Sequence, residues 1–187
     1  MTVLEAISTA SQRRSKGGFR LSSAAEITDH AALNALLLEY YGVISCKLAA
    51  AGVPRRYSPE ELIAPFWANI GKFLPPHGRL MLVHGPSGAL VGCGTLQQIR
   101  PDAGELKRLY LKPEAQGYGL GRALVEARIK AARDMGWRTL YVNTIIGNRD
   151  MLKIYEKVGF QHISRYPECS DPIEVDPYFE YMTYRLR

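Results

Sequence analysis

The fold is decided by the stretch Gln116-Gly117-Tyr118-Gly119-Leu120-Gly121-Arg122, which lies between a predicted strand and a predicted helix. At such a junction the first N–H groups of the helix point outward and the helix dipole adds partial positive charge, an arrangement that suits a pyrophosphate. Glycine permits positive φ and lets an anion approach the backbone. An isolated glycine cluster predicts only a flexible turn, so the neighbouring residues must supply the functional interpretation.

The spacing of the glycines excludes two other phosphate sites. A Walker loop ends in Gly-Lys-Ser/Thr, which is absent here, and the dinucleotide fingerprint needs G-x-G-x-x-G near an early strand. This chain has G-x-G-x-G, and it lies late in the sequence.

Working outward, hydrophobic periodicity and turn residues predict strands and helices in a definite order. Strands are predicted at residues 19–21, 79–84, 89–99, 105–111, 139–145, 160–165 and 178–186. Helices are predicted at residues 31–41, 58–71, 120–136 and 148–158. An antiparallel start, a strand-helix-strand crossover and a final helix with two strands predict an α/β fold with a mixed sheet covered by helices.

The length of 187 residues fits one compact domain. We expect a single domain over residues 19–187. The polar cluster that ends residues 1–18 predicts an N-terminal tail or a short docking segment.

The formal net charge of +6 is compatible with an anionic ligand, a nucleic acid or an acidic membrane surface. Much of the excess lies around the glycine segment, where it would suit a phosphate-bearing ligand. These residues are Lys107, Arg108, Lys112, Arg122, Arg128, Lys130, Arg133 and Arg138.

The three cysteines and four histidines show neither a CxxC pair nor metal-ligand spacing, so we predict no disulfide framework and no metal. The sequence shows no signal peptide and no run of about eighteen apolar residues. We therefore expect a soluble, cytoplasmic protein without a membrane partner.

With these neighbours, the sequence resembles the GNAT superfamily of N-acetyltransferases. Gln116, Gly119 and Gly121 match its Arg/Gln-x-x-Gly-x-Gly/Ala signature, and the resemblance continues through residues 105–111 and 148–160. It covers the chain from residue 79 to the C-terminus. It implies a GNAT-like central twisted mixed sheet of about six to seven strands flanked by helices, with acetyl-coenzyme A as the acyl donor.

The resemblance also implies the cofactor-binding residues. Leu109 and Leu111 would bind the acetyl carbonyl and pantetheine through their backbones, the glycine segment would bind the pyrophosphate, and Asn148 the pantetheine arm. The full set is Leu109, Tyr110, Leu111, Gln116, Gly117, Tyr118, Gly119, Leu120, Gly121, Arg122 and Asn148. Gln116 stands where arginine is commoner in the family, and Arg122 is expected to compensate for the missing cation.

Two side chains are candidates for the chemistry. An amine acceptor is protonated at neutral pH, so it needs a base, and Glu105 matches the family's acidic position. The alternative is a carboxylate that pairs with a cross-strand cation. Tyr155 matches the position that protonates the departing thiolate, although a tyrosine at this helical spacing also fits a core role.

The acceptor itself stays open: a small molecule or a peptide that carries an amine. Five acids and no Lys or Arg lie between Tyr166 and Tyr184. This segment favours a cationic acceptor, which aromatic rings would also attract. The alternative is a solvated acidic loop. A homodimer is also left open.

Two other function classes are compatible with the sequence. One is a module that binds acyl-coenzyme A without turnover, and Glu105 and Tyr155 argue against it. The other is nucleic-acid binding, which ranks last because the cations cluster near a phosphate-ligand motif.

Overall fold

A computed structural model describes residues 13–14 and 17–187 of the chain. The predicted tail over residues 1–18 falls mostly outside the described residues. Residues 13–14 form a short strand, β1, which pairs antiparallel with the next strand. The division into a tail and a single domain stays a prediction.

The described elements follow the predicted order. The strands are β1 Arg13–Arg14, β2 Arg20–Ala24, β3 Gly78–His84, β4 Leu90–Arg100, β5 Ala103–Leu111, β6 Thr139–Ile145, β7 Gln161–Ile163 and β8 Phe179–Arg185. The α-helices are α1 His30–Ala50, α2 Pro59–Ala68, α3 Leu120–Asp134 and α4 Arg149–Val158, with short 3₁₀ helices at Ile70–Phe73, Pro113–Ala115 and Ile173–Tyr178.

The strands form one sheet in the order β1-β2-β3-β4-β5-β6-β8-β7. Neighbouring strands are antiparallel except β5 and β6, which are parallel and joined through α3. This confirms the predicted mixed sheet flanked by helices, and the two-residue β1 is the strand beyond the expected six to seven.

The sequence explains where the first two helices begin. The Asp29 side chain accepts a hydrogen bond from the Ala32 N–H (2.8 Å) and caps α1. At α2, Ser58 and Glu61 form a reciprocal capping box, and Pro59 occupies the first turn. The predicted second helix is shorter than expected, because α2 ends at Ala68 and residues 70–73 continue as a 3₁₀ turn.

The helices cover both faces of the sheet. Leu80 of β3 packs in a cluster with α1 and α2, whereas its neighbour Met81 packs in a cluster with α3 residues such as Leu124. This alternation is the period of two expected of a strand that is buried on both faces. Within the part of the chain that the structure describes, no helix is long and apolar enough to span a bilayer.

The parallel pair β5 and β6 positions the site. Their pairing runs from Ala103 opposite Thr139 to Leu106 opposite Val142 and stops there. Both strands continue beyond that point, β6 remaining paired with β8, so the sheet opens between residues 107–111 and 143–145. Backbone groups on this edge of β5 are therefore not used by β6.

Candidate active site

A large cavity of about 1270 Å³ lies at the opening between β5 and β6. We call its two ends the donor half, formed by the glycine segment and α4, and the acceptor half, formed by α2, the 70–73 turn, the end of β4 and the loop from Glu168 to Val175. All predicted site residues line it except Glu105 and Tyr118. The lining residues are Leu109, Tyr110, Leu111, Gln116, Gly117, Gly119, Leu120, Gly121, Arg122, Asn148 and Tyr155.

The backbone N–H groups of the glycine segment face the donor half of the cavity without hydrogen-bond partners among the described residues. Gly119 is the N-cap of α3 in the left-handed conformation (φ 75°), and Gly117 also has positive φ (82°). In the described hydrogen bonds, the N–H groups of residues 117–122 have no acceptor. These donors and the α3 dipole fit a pyrophosphate, and no neighbouring atom fills the space beside Gly117 or Gly119.

Three side chains of this segment make contacts within the protein that reduce their availability to a phosphate. Gln116 donates from Nε2 to the Leu111 carbonyl (3.0 Å) and so closes the loop before α3. Arg122 pairs with Glu126 one turn along α3 (2.7 Å), which weakens its expected role as the replacement cation. Tyr118 packs its exposed ring against Phe19, with 4.8 Å between centroids, and does not line the cavity.

Most of the basic residues near the glycine segment already have carboxylate partners or are buried. Lys107 pairs with Asp171, Lys112 with Glu39, and Lys130 with Asp134. Arg128 is completely buried. Most of this positive charge is therefore balanced locally or placed inside the core.

Arg128 supports a bulge in the sheet. The pairing of β4 with β5 shifts between Cys93 and Thr95, and Arg108 is the single non-glycine residue with positive φ (54°) among the described residues. This conformation costs about 1–2 kcal/mol for an L-residue. Arg128 Nη1 donates to the carbonyls of Thr95 (3.1 Å) and Lys107 (3.2 Å), which stabilises the bulge that turns Arg108 into the cavity.

Tyr155 lies where the bulge, α3 and α4 meet. Its ring is buried against Phe160, with 5.2 Å between centroids, and it also lines the cavity. Burial raises the pKa of the Tyr155 phenol, and the neighbouring Arg128 guanidinium opposes this effect. The phenol is therefore a neutral O–H donor at physiological pH, and its core and functional interpretations are compatible.

Glu105 is fully buried and does not line the cavity. Its carboxylate accepts hydrogen bonds from Gln97 across the strand pair (2.5 Å) and from the Tyr166 hydroxyl, and Lys107 Nζ lies 3.5 Å away. The cross-strand partner is an amide rather than the cation of the alternative interpretation. Glu105 therefore has no direct access to an acceptor in this arrangement.

Asp171 is the carboxylate that reaches the cavity from the same network. Lys107 Nζ lies 3.1 Å from its Oδ2 and so bridges Asp171 and Glu105. Burial disfavours the charge on Asp171, but Lys107 and the Asn143 amide outweigh it and lower the pKa of the carboxyl. Burial likewise opposes the charge on Lys107, and the two carboxylates raise the pKa of its ammonium.

Asn148 occupies the N-cap position of α4, but its side chain makes no capping bond. Instead it donates to Thr144 Oγ1 (2.9 Å) and accepts from Lys47 Nζ of α1 (2.9 Å). It therefore connects the donor half of the cavity to α1.

The acids between Tyr166 and Tyr184 are mostly partnered. Glu168 pairs with Arg100, Asp171 with Lys107, Asp176 with Arg165, and Glu180 with His162. They do not form an open acidic loop, and the two that line the cavity, Glu168 and Asp171, carry cationic partners.

Sequence reasoning missed Arg108, Arg128 and Asp171 as members of one site. Each was recognised only as a charge, because their meeting depends on the bulge and on a loop more than sixty residues away from β5. The available signal was Asp171 inside a segment without Lys or Arg, which indicates that its partner is supplied by another element. In the described residues, no three His, Cys, Asp or Glu side chains meet so as to hold a metal ion.

Comparisons with known proteins agree with this geometry. The chain is 29% identical over 108 residues to an uncharacterised N-acetyltransferase of Schizosaccharomyces pombe, covering 57% of this chain. It spans 64% of that relative's length, which is less than two-thirds.

Solved structures show the same fold. An acetyltransferase from Streptococcus agalactiae superimposes with a TM-score of 0.68 at 20% identity, over 91% of this chain and 99% of the other. A putative acetyltransferase from Salmonella typhimurium, solved with its cofactor acetyl-coenzyme A, gives 0.62 at 19% identity, over 90% and 94% of the two chains. The model of the acetyltransferase (GNAT) family matches residues 45–160, which include the opening between β5 and β6, the glycine segment and Tyr155. The chain therefore belongs to the acetyltransferase (GNAT) family.

Proposed function

We propose that the protein transfers an acetyl group from acetyl-coenzyme A to a primary amine by direct attack of the amine on the thioester. The observation that carries this proposal is the opening between β5 and β6, which joins a phosphate-suited helix terminus to a cavity with a buried phenol. The cavity of about 1270 Å³ has room for both a donor and an acceptor.

The donor half supplies the binding groups. The free N–H groups of residues 117–122 would hold the pyrophosphate, and the open edge of β5 from Leu109 to Leu111 would hold the pantetheine and the acetyl carbonyl. Asn148 would contact the pantetheine arm. The bound donor supplies an acetyl thioester, and the protein orients it towards the acceptor half.

Tyr155 is the proposed general acid. Its neutral O–H donates a proton to the departing sulfur, and the neighbouring Arg128 guanidinium stabilises the phenolate that this leaves. The backbone N–H of Leu109, on the unpaired edge of β5, is the proposed donor to the developing oxyanion.

The buried network supplies the proposed route for the amine proton. Glu105 keeps its predicted role as a base only at the inner end of this route, because its carboxylate is covered. Asp171 contacts the cavity and communicates with Glu105 through Lys107. Asp171 is the proposed acceptor of this proton, directly or through water, and Lys107 keeps its carboxylate ionised before the transfer.

The test is release of free thiol from acetyl-coenzyme A over a panel of amino acids, polyamines, aminoglycosides and peptide N-termini. We expect thiol release with at least one class, together with the acetylated amine in a mass spectrum. Cofactor binding by calorimetry without thiol release from any class would instead identify the non-catalytic sensor. Absence of binding would sink the donor site itself.

A further inference from the structure

Arg108 of β5 lines the cavity next to Phe66 and Phe73 of the acceptor half, and it has no carboxylate partner among the described residues. Its Nε donates to the Tyr41 hydroxyl (2.8 Å), and its Cζ lies 4.5 Å from the centroid of Phe73 and 5.3 Å from that of Phe66. The Nη1 atom is buried and has no hydrogen-bond partner. Among the described residues, no Asp or Glu forms an ion pair with Arg108.

A buried guanidinium donor without an acceptor is costly, because each such donor loses its hydrogen bonds with water. The bulge adds to this cost, since Arg108 holds the strained positive φ that brings its side chain to the cavity. Strain combined with an unpaired donor in a cavity wall indicates a binding group rather than a structural one.

The rest of the acceptor half does not offset this charge. Three of the acids that line the cavity are already paired: Glu61 with Arg55, Glu168 with Arg100, and Asp171 with Lys107. The fourth, Asp150, lies at the start of α4 in the donor half. Arg108 and the exposed Lys72 are thus the unpaired cations of the acceptor half, and no carboxylate there is unpaired within the described chain.

The geometry of Arg108 favours a carboxylate as the missing partner. With Nε engaged by Tyr41, the remaining N–H groups are those of the two terminal nitrogens, and a planar carboxylate can accept from both. The Phe66 and Phe73 rings flank the guanidinium.

We propose that Arg108 binds a carboxylate of the acceptor, so that the acceptor is an amino acid or another amine that carries a carboxylate. This inference rests on the proposed acetyl transfer and names its substrate class. It replaces the cationic acceptor suggested by the acidic segment, whose carboxylates in the cavity are neutralised by Arg100 and Lys107.

The experiment compares matched acceptors in the thiol-release assay: L-phenylalanine and L-leucine, their α-amides, and the corresponding decarboxylated amines. We expect kcat/KM for the acids to exceed that for the amides by about 10- to 100-fold, the range of a charge-assisted hydrogen-bond pair. The amides have more unprotonated amine at neutral pH, so a preference for the acids cannot come from amine basicity.

Variants assign the preference to Arg108. We expect Arg108→Met to lose it while still binding acetyl-coenzyme A, and Arg108→Lys to retain a small part of it. Arg79→Met is the matched control, because Arg79 is a partly buried strand arginine that has no carboxylate partner among the described residues and lies outside the cavity. This control should keep the preference in full.

The outcomes separate the two proposals. Equal rates for acids and amides, faster turnover of an amine that carries a phosphate, or an unchanged preference in Arg108→Met would overturn the carboxylate site while leaving acetyl transfer intact. If no acceptor releases thiol, acetyl transfer fails. In that case, titration of 3-phenylpropionate into the coenzyme A complex by calorimetry tests the carboxylate site. Binding that depends on Arg108 supports the carboxylate site, and absence of binding overturns it.

Discussion

The Nη1 atom of Arg128 lies 3.1 Å from the carbonyl oxygen of Thr95, inside a core where the arginine has no exposed surface. The same atom reaches the Lys107 carbonyl, and Nε donates to the Leu124 carbonyl of its own helix. A guanidinium thus replaces the strand-to-strand hydrogen bonds that the bulge gives up. This bulge shapes both Arg108 and the wall beside Tyr155, so Arg128 connects the stability of the sheet to the site.

Removing this guanidinium should destabilise the protein. Burial lowers the pKa of Arg128, so its charge is costly, but Arg128→Met would leave the Thr95 carbonyl without this donor and the Lys107 carbonyl with only the Thr95 hydroxyl. We expect a net loss of about 2 kcal/mol in the free energy of unfolding, measured with urea. Arg133→Met, an exposed change on the same helix, should cost much less. Equal stabilities of the two variants would contradict this role.

We expect Gly119 to be required for binding coenzyme A, and not only for the left-handed backbone conformation that it adopts. Gly119 and Gly136 both have φ of 75° and no neighbouring atom within 4 Å of an added Cβ, so alanine strains each to a similar degree. Gly119 lies in the cavity, whereas Gly136 follows the other end of α3. We expect Gly119→Ala to raise the dissociation constant for coenzyme A about tenfold or more and Gly136→Ala to leave it unchanged. Similar affinities in calorimetry would show that the loop does not bind the phosphates.

Tyr155→Phe should slow turnover without loss of donor binding. The variant keeps the ring in place but removes the proposed proton donor, which lowers kcat by about 100-fold. Tyr184→Phe is the control, because the Tyr184 ring packs against the same Phe160 at 5.1 Å, compared with 5.2 Å for Tyr155, and lies outside the cavity. A kcat of Tyr155→Phe close to that of the control would assign Tyr155 to the core alone.

Asp171 should stabilise the protein only above acidic pH. Its folded-state pKa is lowered, so its contribution is complete above the unfolded pKa of about 4 and is lost as the pH falls towards the folded value. Lys107 has a raised pKa, so its contribution is complete below about pH 10 and is lost at higher pH. The stability difference between wild type and Asp171→Asn should be about 2 kcal/mol between about pH 5 and pH 9 and decrease on either side.

The control for this pH dependence is Asp134→Asn, which removes an exposed ion pair with Lys130. Exposed pairs contribute little, so its stability difference should stay small across the same range. A difference for Asp171→Asn that does not change below pH 4 would contradict the proposed network.

Two glycines should respond to alanine in opposite directions. A Cβ at Gly104 of β5 would lie 2.0 Å from Trp137 Cζ3, so Gly104→Ala forces the indole to move and should cost about 3 kcal/mol. Gly42 lies inside α1 with no atom within 4 Å, and alanine there should add about 0.5–1 kcal/mol through helix propensity. Thermal unfolding of the two variants checks both signs.

The fold was largely predictable because its signals are local. Alternation and flanking turns predicted residues 139–145 as a strand, which is the observed β6. The predicted end of α1 was wrong. The prediction stopped at Tyr41, before Gly42, but the helix continues to Ala50. Leu48 packs with Ile145 and Val175 from distant parts of the chain, and such contacts outweigh the low helix propensity of one glycine.

The site was predictable only where it is local. The glycine segment and Tyr155 follow from short stretches of sequence, and both line the cavity. The unpaired Arg108 and the covered Glu105 depend on a register shift between β4 and β5 and on the packing of Tyr166. A one-residue shift in a strand changes which side chains face the cavity, and the sequence contains no direct record of it.

The separation between the two halves of the cavity allows substitutions to act on one half at a time. The donor half is encoded within residues 109–122 and 148–155, whereas much of the acceptor half comes from residues 55–73 and 168–175. Substitutions in the latter stretches can therefore reshape the acceptor half without disturbing the glycine segment. Arg108 lies on the strand shared by both halves, so it is the acceptor-side position nearest to the residues that form the donor half.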